Sequence, residues 1–164
     1  MTSETNTPSI GMLHALGRSG ATIVARHIAA MDGLALFSEI HPNGPELALA
    51  LLQPPQHFTF SLKVQAGVWF QLYSEAEAAE VFSKAGGPND RQAVAEVLNR
   101  AMAAGRYPIL RDWSHLDFIG LPFRQPTNEI SLLTAIPETV SLQRVVLLRH
   151  PMGNYLSLIK APDL

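Results

Sequence analysis

The chain has no cysteine, and its first lysine is Lys63. The absence of cysteine excludes disulfides and thiolate metal sites. Only 16% of the 164 residues are charged and the net charge is -2, which argues against nucleic acid as a partner. No apolar run is long enough to span a bilayer, and residues 1–9 lack the pattern of a signal peptide. We therefore expect a cytoplasmic protein without a membrane span.

Hydrophobic residues make up 47% of the sequence, which is enough to bury the core of one domain. We expect a flexible tail at residues 1–9 and a single domain at residues 10–164. Predicted strands alternate with predicted helices, and the strands cover residues 10–16, 34–40, 107–113 and 143–149. This rhythm predicts an α/β fold, with a parallel sheet and right-handed crossovers in three layers. Ligands of such sheets bind beyond the carboxyl ends of the strands.

Three further segments carry weaker patterns. The alternation of residues 57–64 predicts a strand, and short helices are predicted at residues 46–52 and 130–136. The apolar run from Gln143 to Arg149 predicts a buried strand.

The most informative stretch runs from Ile10 to Met31 and reads as strand, glycine-containing loop and helix. Such a loop directs unpaired backbone N–H groups and the positive end of the helix dipole at one spot, which favours an anion. Arg18 adds a permanent charge, and Ser19 and Thr22 add hydroxyl groups. The loop lacks the lysine of a Walker A motif, since Ala21 stands before Thr22.

The loop residues Arg18-Ser19-Gly20-x-Thr22 resemble the P-R-S-G-T-T loop of sulfotransferases that use 3′-phosphoadenosine 5′-phosphosulfate (PAPS). Gly17 replaces the usual proline and Ala21 replaces the first threonine. The resemblance implies a P-loop-like fold in which this loop cradles the 5′-phosphosulfate. The implied binding residues are Gly17, Arg18, Ser19, Gly20, Ala21 and Thr22.

A second match lies near the end of the sequence, from Val145 to Leu158. An apolar strand leads to Arg149-His150-Pro151, and Ser157 follows Arg149 by eight residues. This resembles the sulfotransferase element that binds the 3′-phosphate of PAPS. A guanidinium binds a phosphate through two parallel hydrogen bonds, and a hydroxyl on the next helix donates another. The alternative is a surface arginine and a serine bonded to its own helix.

A carboxylate follows the first helix where several sulfotransferase groups place a catalytic glutamate. Glu39 ends a predicted strand, which we expect to lie beside the loop, and it would accept the proton of the acceptor. His41, His115 and Asp112 are alternative bases. Arg18 would stabilise charge on the leaving phosphate.

The resemblance implies a sulfotransferase that moves a sulfuryl group from PAPS to a hydroxyl or amine acceptor, releasing 3′,5′-diphosphoadenosine (PAP), without a metal. The acceptor, a small molecule, glycan or peptide, is not identified by the sequence. The family continues past the serine helix, whereas this sequence stops at Leu164. Two alternatives stay open: a non-catalytic nucleotide-binding or interaction protein with an incomplete sulfotransferase fold, and an atypical P-loop kinase or NTPase.

Overall fold

The computed structural model describes residues 7–16, 18–42, 58–83, 91–119 and 125–160. The strands are β1 (Ser9–Ala15), β2 (Leu34–Ile40), β3 (Tyr107–Asp112) and β4 (Ser141–Leu147). The α-helices are α1 (Ala21–Ala29), α2 (Phe58–Val68), α3 (Glu75–Ser83), α4 (Arg91–Ala103), α5 (Ser114–Phe118) and α6 (Pro151–Ile159). A 3-10 helix covers Ser131–Ala135, within the predicted helix at residues 130–136.

These strands form one sheet in the order β2-β3-β1-β4, and every neighbouring pair is parallel. Leu13 in β1 is opposite Arg111 in β3 and Val145 in β4. The predicted parallel α/β fold is thus confirmed. Because all four strands run in the same direction, their carboxyl ends share one edge of the sheet, where a ligand site is expected.

The hydrophobic core joins alternate residues of β1, β2 and β3 to helices on the same face of the sheet. Strand residues Ile10, Met12, Phe37 and Leu110 are fully or almost fully buried against Leu62 of α2, Val97 and Leu98 of α4, and Leu132 of the 3-10 helix. Burying such side chains contributes about 1.5–3 kcal/mol each. This core holds the carboxyl ends of β1 and β3 in place.

The strand predicted at residues 57–64 is wrong, because the described residues from 58 onward form helix α2. The fully buried positions Thr59, Leu62 and Ala66 are three and four residues apart, which is helical spacing. The side-chain amide of Gln65 accepts from the backbone N–H of Ser38 at 2.7 Å and donates to its carbonyl at 2.9 Å. The helix therefore satisfies the backbone of β2 where its register shifts, between Phe37 and Ile40.

The prediction of a buried final strand is also wrong. β4 lies at an edge of the sheet, with no described strand beyond it, and Val145 and Val146 are 57% and 58% exposed. Consecutive side chains of a strand point to opposite faces, so the exposure of both valines shows that no described element covers either face of the sheet at these two positions. The apolar run alone carries no information on strand order or on which faces are covered. The predicted helix at residues 46–52 lies outside the described residues, as does most of the predicted tail. No helix in the described ranges combines the length and apolarity needed to cross a membrane.

Candidate functional site

A cavity of about 340 Å³ lies at the carboxyl ends of β1 and β3. It is bordered by the β1–α1 loop, the start of α1, the end of β3 and the start of α5, and by two residues from the end of the chain. The chain runs from β1 to the edge strand β2 and from β3 to the opposite edge strand β4, so the connections that follow the neighbouring strands β1 and β3 run in opposite directions. Neighbouring parallel strands with divergent connections leave a crevice, which is the common ligand position in open α/β sheets.

The β1–α1 loop turns through two left-handed backbone conformations. Arg18 has a φ of 63° and Gly20 a φ of 92°, and Gly20 is the N-cap of α1. Glycine adopts this conformation without strain, whereas an arginine there costs about 1–2 kcal/mol. Strained residues of this kind cluster at binding sites.

The start of α1 is left without an internal partner for its backbone donors. No described residue accepts a hydrogen bond from the backbone N–H of Ala21 or Thr22, and the first turn carries no acidic side chain. Both residues line the cavity. The unpaired donors and the helix dipole make this part of the cavity wall attractive to an anion.

Two arginines from opposite ends of the sequence meet at the cavity. Arg149 donates from Nη1 to the carbonyl of Arg18 at 3.0 Å, and Arg18 Nη2 lies 3.5 Å from the carbonyl of Ser157. A Cβ at Gly153 would lie 3.2 Å from Arg149 Nε, so this glycine leaves room for the guanidinium beside α6. The loop and the arginine–serine element are therefore parts of one site.

Most of the predicted binding residues line this cavity: Arg18, Gly20, Ala21, Thr22, Arg149 and Ser157. Ser19 is adjacent but is not part of the lining, and its buried Oγ has no hydrogen-bond partner within the described ranges. Gly17 lies outside the described residues.

Glu39 does not occupy the expected position beside the loop, because β3 lies between β2 and β1. Its side chain is 53% exposed and is not part of the cavity lining, and Oε1 is 3.5 Å from Arg111 Nη1. Like Arg18, it has a left-handed backbone, with a φ of 58°. Among the described residues, it is Arg111 that links Glu39 to the cavity.

Of the alternative bases, His115 is best placed for proton transfer. It lines the cavity, and its ring packs edge-to-face with Trp113 at a centroid distance of 5.0 Å. Burial lowers the pKa of His115 below its ordinary value, and the nearby His41 and Arg111 act in the same direction. Burial therefore favours the neutral imidazole, the form that accepts a proton.

Asp112 also lines the cavity, but both it and His41 are held by buried partners. Asp112 Oδ2 is 2.8 Å from His14 Nδ1, and its Oδ1 accepts from the Ser114 hydroxyl. His41 Nε2 is 3.1 Å from Asp117 Oδ1, and neither side chain has exposed surface. These pairs fix the ends of β1, β2 and β3 relative to α5.

Arg111 is a cavity residue that the sequence reasoning did not single out. It lies one residue before Asp112, at the end of a predicted strand, and its position at the carboxyl end of a parallel strand was the available signal.

Comparisons of this chain with protein-family models, with curated proteins and with solved structures gave no match. Within the described ranges, no three His, Asp or Glu side chains are grouped so as to hold a metal ion.

Proposed function

We propose that this protein transfers a sulfuryl group from PAPS to a hydroxyl or amine acceptor, and that its fold is a three-layer, P-loop-like α/β domain. One observation carries the proposal. The loop at Arg18 and the pair Arg149–Ser157 resemble, independently in the sequence, the elements for the two anionic ends of one nucleotide, and both line the same cavity.

In this proposal the loop holds the 5′-phosphosulfate through the backbone N–H groups of Ala21 and Thr22 and the hydroxyl of Thr22. Arg149 and Ser157 hold the 3′-phosphate through charge-assisted and hydroxyl hydrogen bonds. The Arg18 guanidinium stabilises the negative charge that grows on the departing phosphate. Most of the rate enhancement then comes from positioning and electrostatics, as in phosphoryl transfer.

The acceptor must lose a proton as its oxygen or nitrogen bonds to sulfur and the bond from sulfur to the phosphate oxygen breaks. His115 is favoured as the base over Glu39, since it lines the cavity and burial favours its neutral form. Glu39 stays the alternative, and it would act only after moving away from Arg111.

The test is calorimetry of the full chain with PAP, AMP and magnesium ATP, followed by a screen of alcohols, phenols, amines and sugars with labelled PAPS. Tight PAP binding together with transfer supports the proposal. PAP binding without transfer to any acceptor supports the non-catalytic alternative. Magnesium-dependent ATP binding in the absence of PAP binding would make this a kinase or NTPase and refute the proposal.

A further inference from the structure

Three guanidinium groups line the cavity, whereas the proposed donor has two anionic ends. Arg18 and Arg149 are assigned to those ends, and Arg111 at the end of β3 is the third. Its side chain is 12% exposed. A largely buried guanidinium is costly unless its N–H groups find partners, so its hydrogen bonds decide what it is for.

Among the described residues, the Arg111 guanidinium has protein partners on one side only. Nη1 donates to the Ser38 hydroxyl at 2.9 Å and is 3.5 Å from Glu39 Oε1. Nε is buried, and in the described part of the chain no atom accepts a hydrogen bond from Nε or Nη2. Nε and Nη2 together form the fork that binds a carboxylate, phosphate or sulfate through two parallel hydrogen bonds.

The neighbouring carboxylates do not complete this fork. Both oxygens of Asp112 are used by His14 and Ser114. Glu39 lies on the Nη1 side and is 53% exposed, where water screens its charge. The Nε–Nη2 edge of Arg111 therefore has no partner among the described residues, and a ligand in the cavity would pair with the buried Nε once the guanidinium turns toward it.

We infer that the acceptor carries an anionic group near its reacting hydroxyl or amine, and that Arg111 binds this group through Nε and Nη2. The inference rests on the proposed function, since it assigns the cavity's other arginines to the donor. Arg111 then selects the acceptor class, because a neutral acceptor leaves a buried fork unpaired, and sites built to pair a polar group discriminate strongly against ligands that lack it.

The test uses the full chain saturated with PAP and titrated with matched probes: 4-hydroxybenzoate against its methyl ester, and glucuronate against glucose. We expect the anionic member of at least one pair to bind about tenfold more tightly or better. Arg111→Gln should abolish this preference while changing PAP affinity by less than about threefold. Arg111→Lys keeps the charge without the fork and should lose most of the preference, so it carries the test if Arg111→Gln does not fold.

The matched control is Arg106→Gln, which removes the same charge at the other end of β3. Arg106 directly precedes this strand, and its Nη1 lies 3.4 Å from the Leu34 carbonyl. It should keep the anion preference. If wild-type protein binds PAP but shows no anion preference in either pair, the inference is wrong and the proposed function stands. An equal loss of PAP affinity in Arg111→Gln and Arg149→Ala would show that Arg111 binds PAPS rather than the acceptor, and would also overturn the inference. Failure of the wild type to bind PAP at all refutes the proposed function itself.

Discussion

Removing the guanidinium of Arg149 should weaken the binding of PAP much more than that of AMP, because only PAP carries a 3′-phosphate. Arg149 Nη1 already donates to the Arg18 carbonyl at 3.0 Å, and no other described atom accepts from the guanidinium, which leaves its remaining N–H groups for a phosphate. A hydrogen bond to a charged group contributes about 1.5–3 kcal/mol. Arg149→Ala should therefore weaken PAP roughly 10- to 150-fold.

AMP keeps the contacts of the loop and should lose less than about threefold in affinity, which is all that a small shift of the Arg18 carbonyl would cause. Calorimetry of both ligands with both proteins measures the four dissociation constants. Equal losses for PAP and AMP would refute the assignment of Arg149 to the 3′-phosphate.

A second variant moves the same guanidinium without removing its charge. A Cβ at Gly153 would lie 3.2 Å from Arg149 Nε, so Gly153→Ala must displace the arginine by a few tenths of an ångström. Alanine within a helix is more favourable than glycine by roughly 0.5–1 kcal/mol, so the variant should be at least as stable as the wild type. A moderate loss of PAP affinity at undiminished stability would locate the effect at the cavity, whereas unchanged PAP affinity would show that the position of Arg149 is unimportant.

Four further predictions concern the site and its supports. Arg18→Ala should lower turnover by about 10²–10³ with a smaller change in PAP affinity, measured by steady-state kinetics; an intact rate with a raised KM for the donor would make it a binding residue only. Because the pKa of His115 lies below its ordinary 6.5, kcat/KM should rise with pH through a midpoint below 6.5, and His115→Gln should abolish this rise. If the rise persists in His115→Gln and is lost in Glu39→Gln, Glu39 is the base. Below pH 6.5 the unfolded chain binds a proton at His115 more readily than the folded chain does, so the free energy of unfolding decreases as the pH is lowered. Denaturant unfolding of His115→Gln should show less of this decrease. Asp117→Ala should lower the free energy of unfolding by about 3–5 kcal/mol, since it leaves His41 and the Ser131 backbone N–H buried without this carboxylate; a loss below about 1 kcal/mol would contradict that account.

Local patterns succeeded where the relevant contacts are close in sequence. The predicted strand at residues 34–40 has the observed bounds of β2, because its apolar run ends in turn residues on both sides. In helix α4, Val94, Val97 and Leu98 stand at helical spacing in the sequence, and in the structure they share one face and are buried together. The same reasoning failed at α2, where a short alternation of apolar residues mimicked a strand and the deciding contact, from Gln65 to Ser38, joins residues 27 apart.

The sequence by itself determined the parallel α/β class and proposed two anion-binding elements, because strand and helix periods and short loop motifs are encoded in neighbouring residues. Tertiary structure decided the rest. It placed β3 between β2 and β1, which separates Glu39 from the loop and brings Arg111 and His115 to the cavity, and it left β4 exposed at an edge. Strand order depends on how crossovers pack over the whole sheet, and so no local pattern records which side chains from distant segments meet.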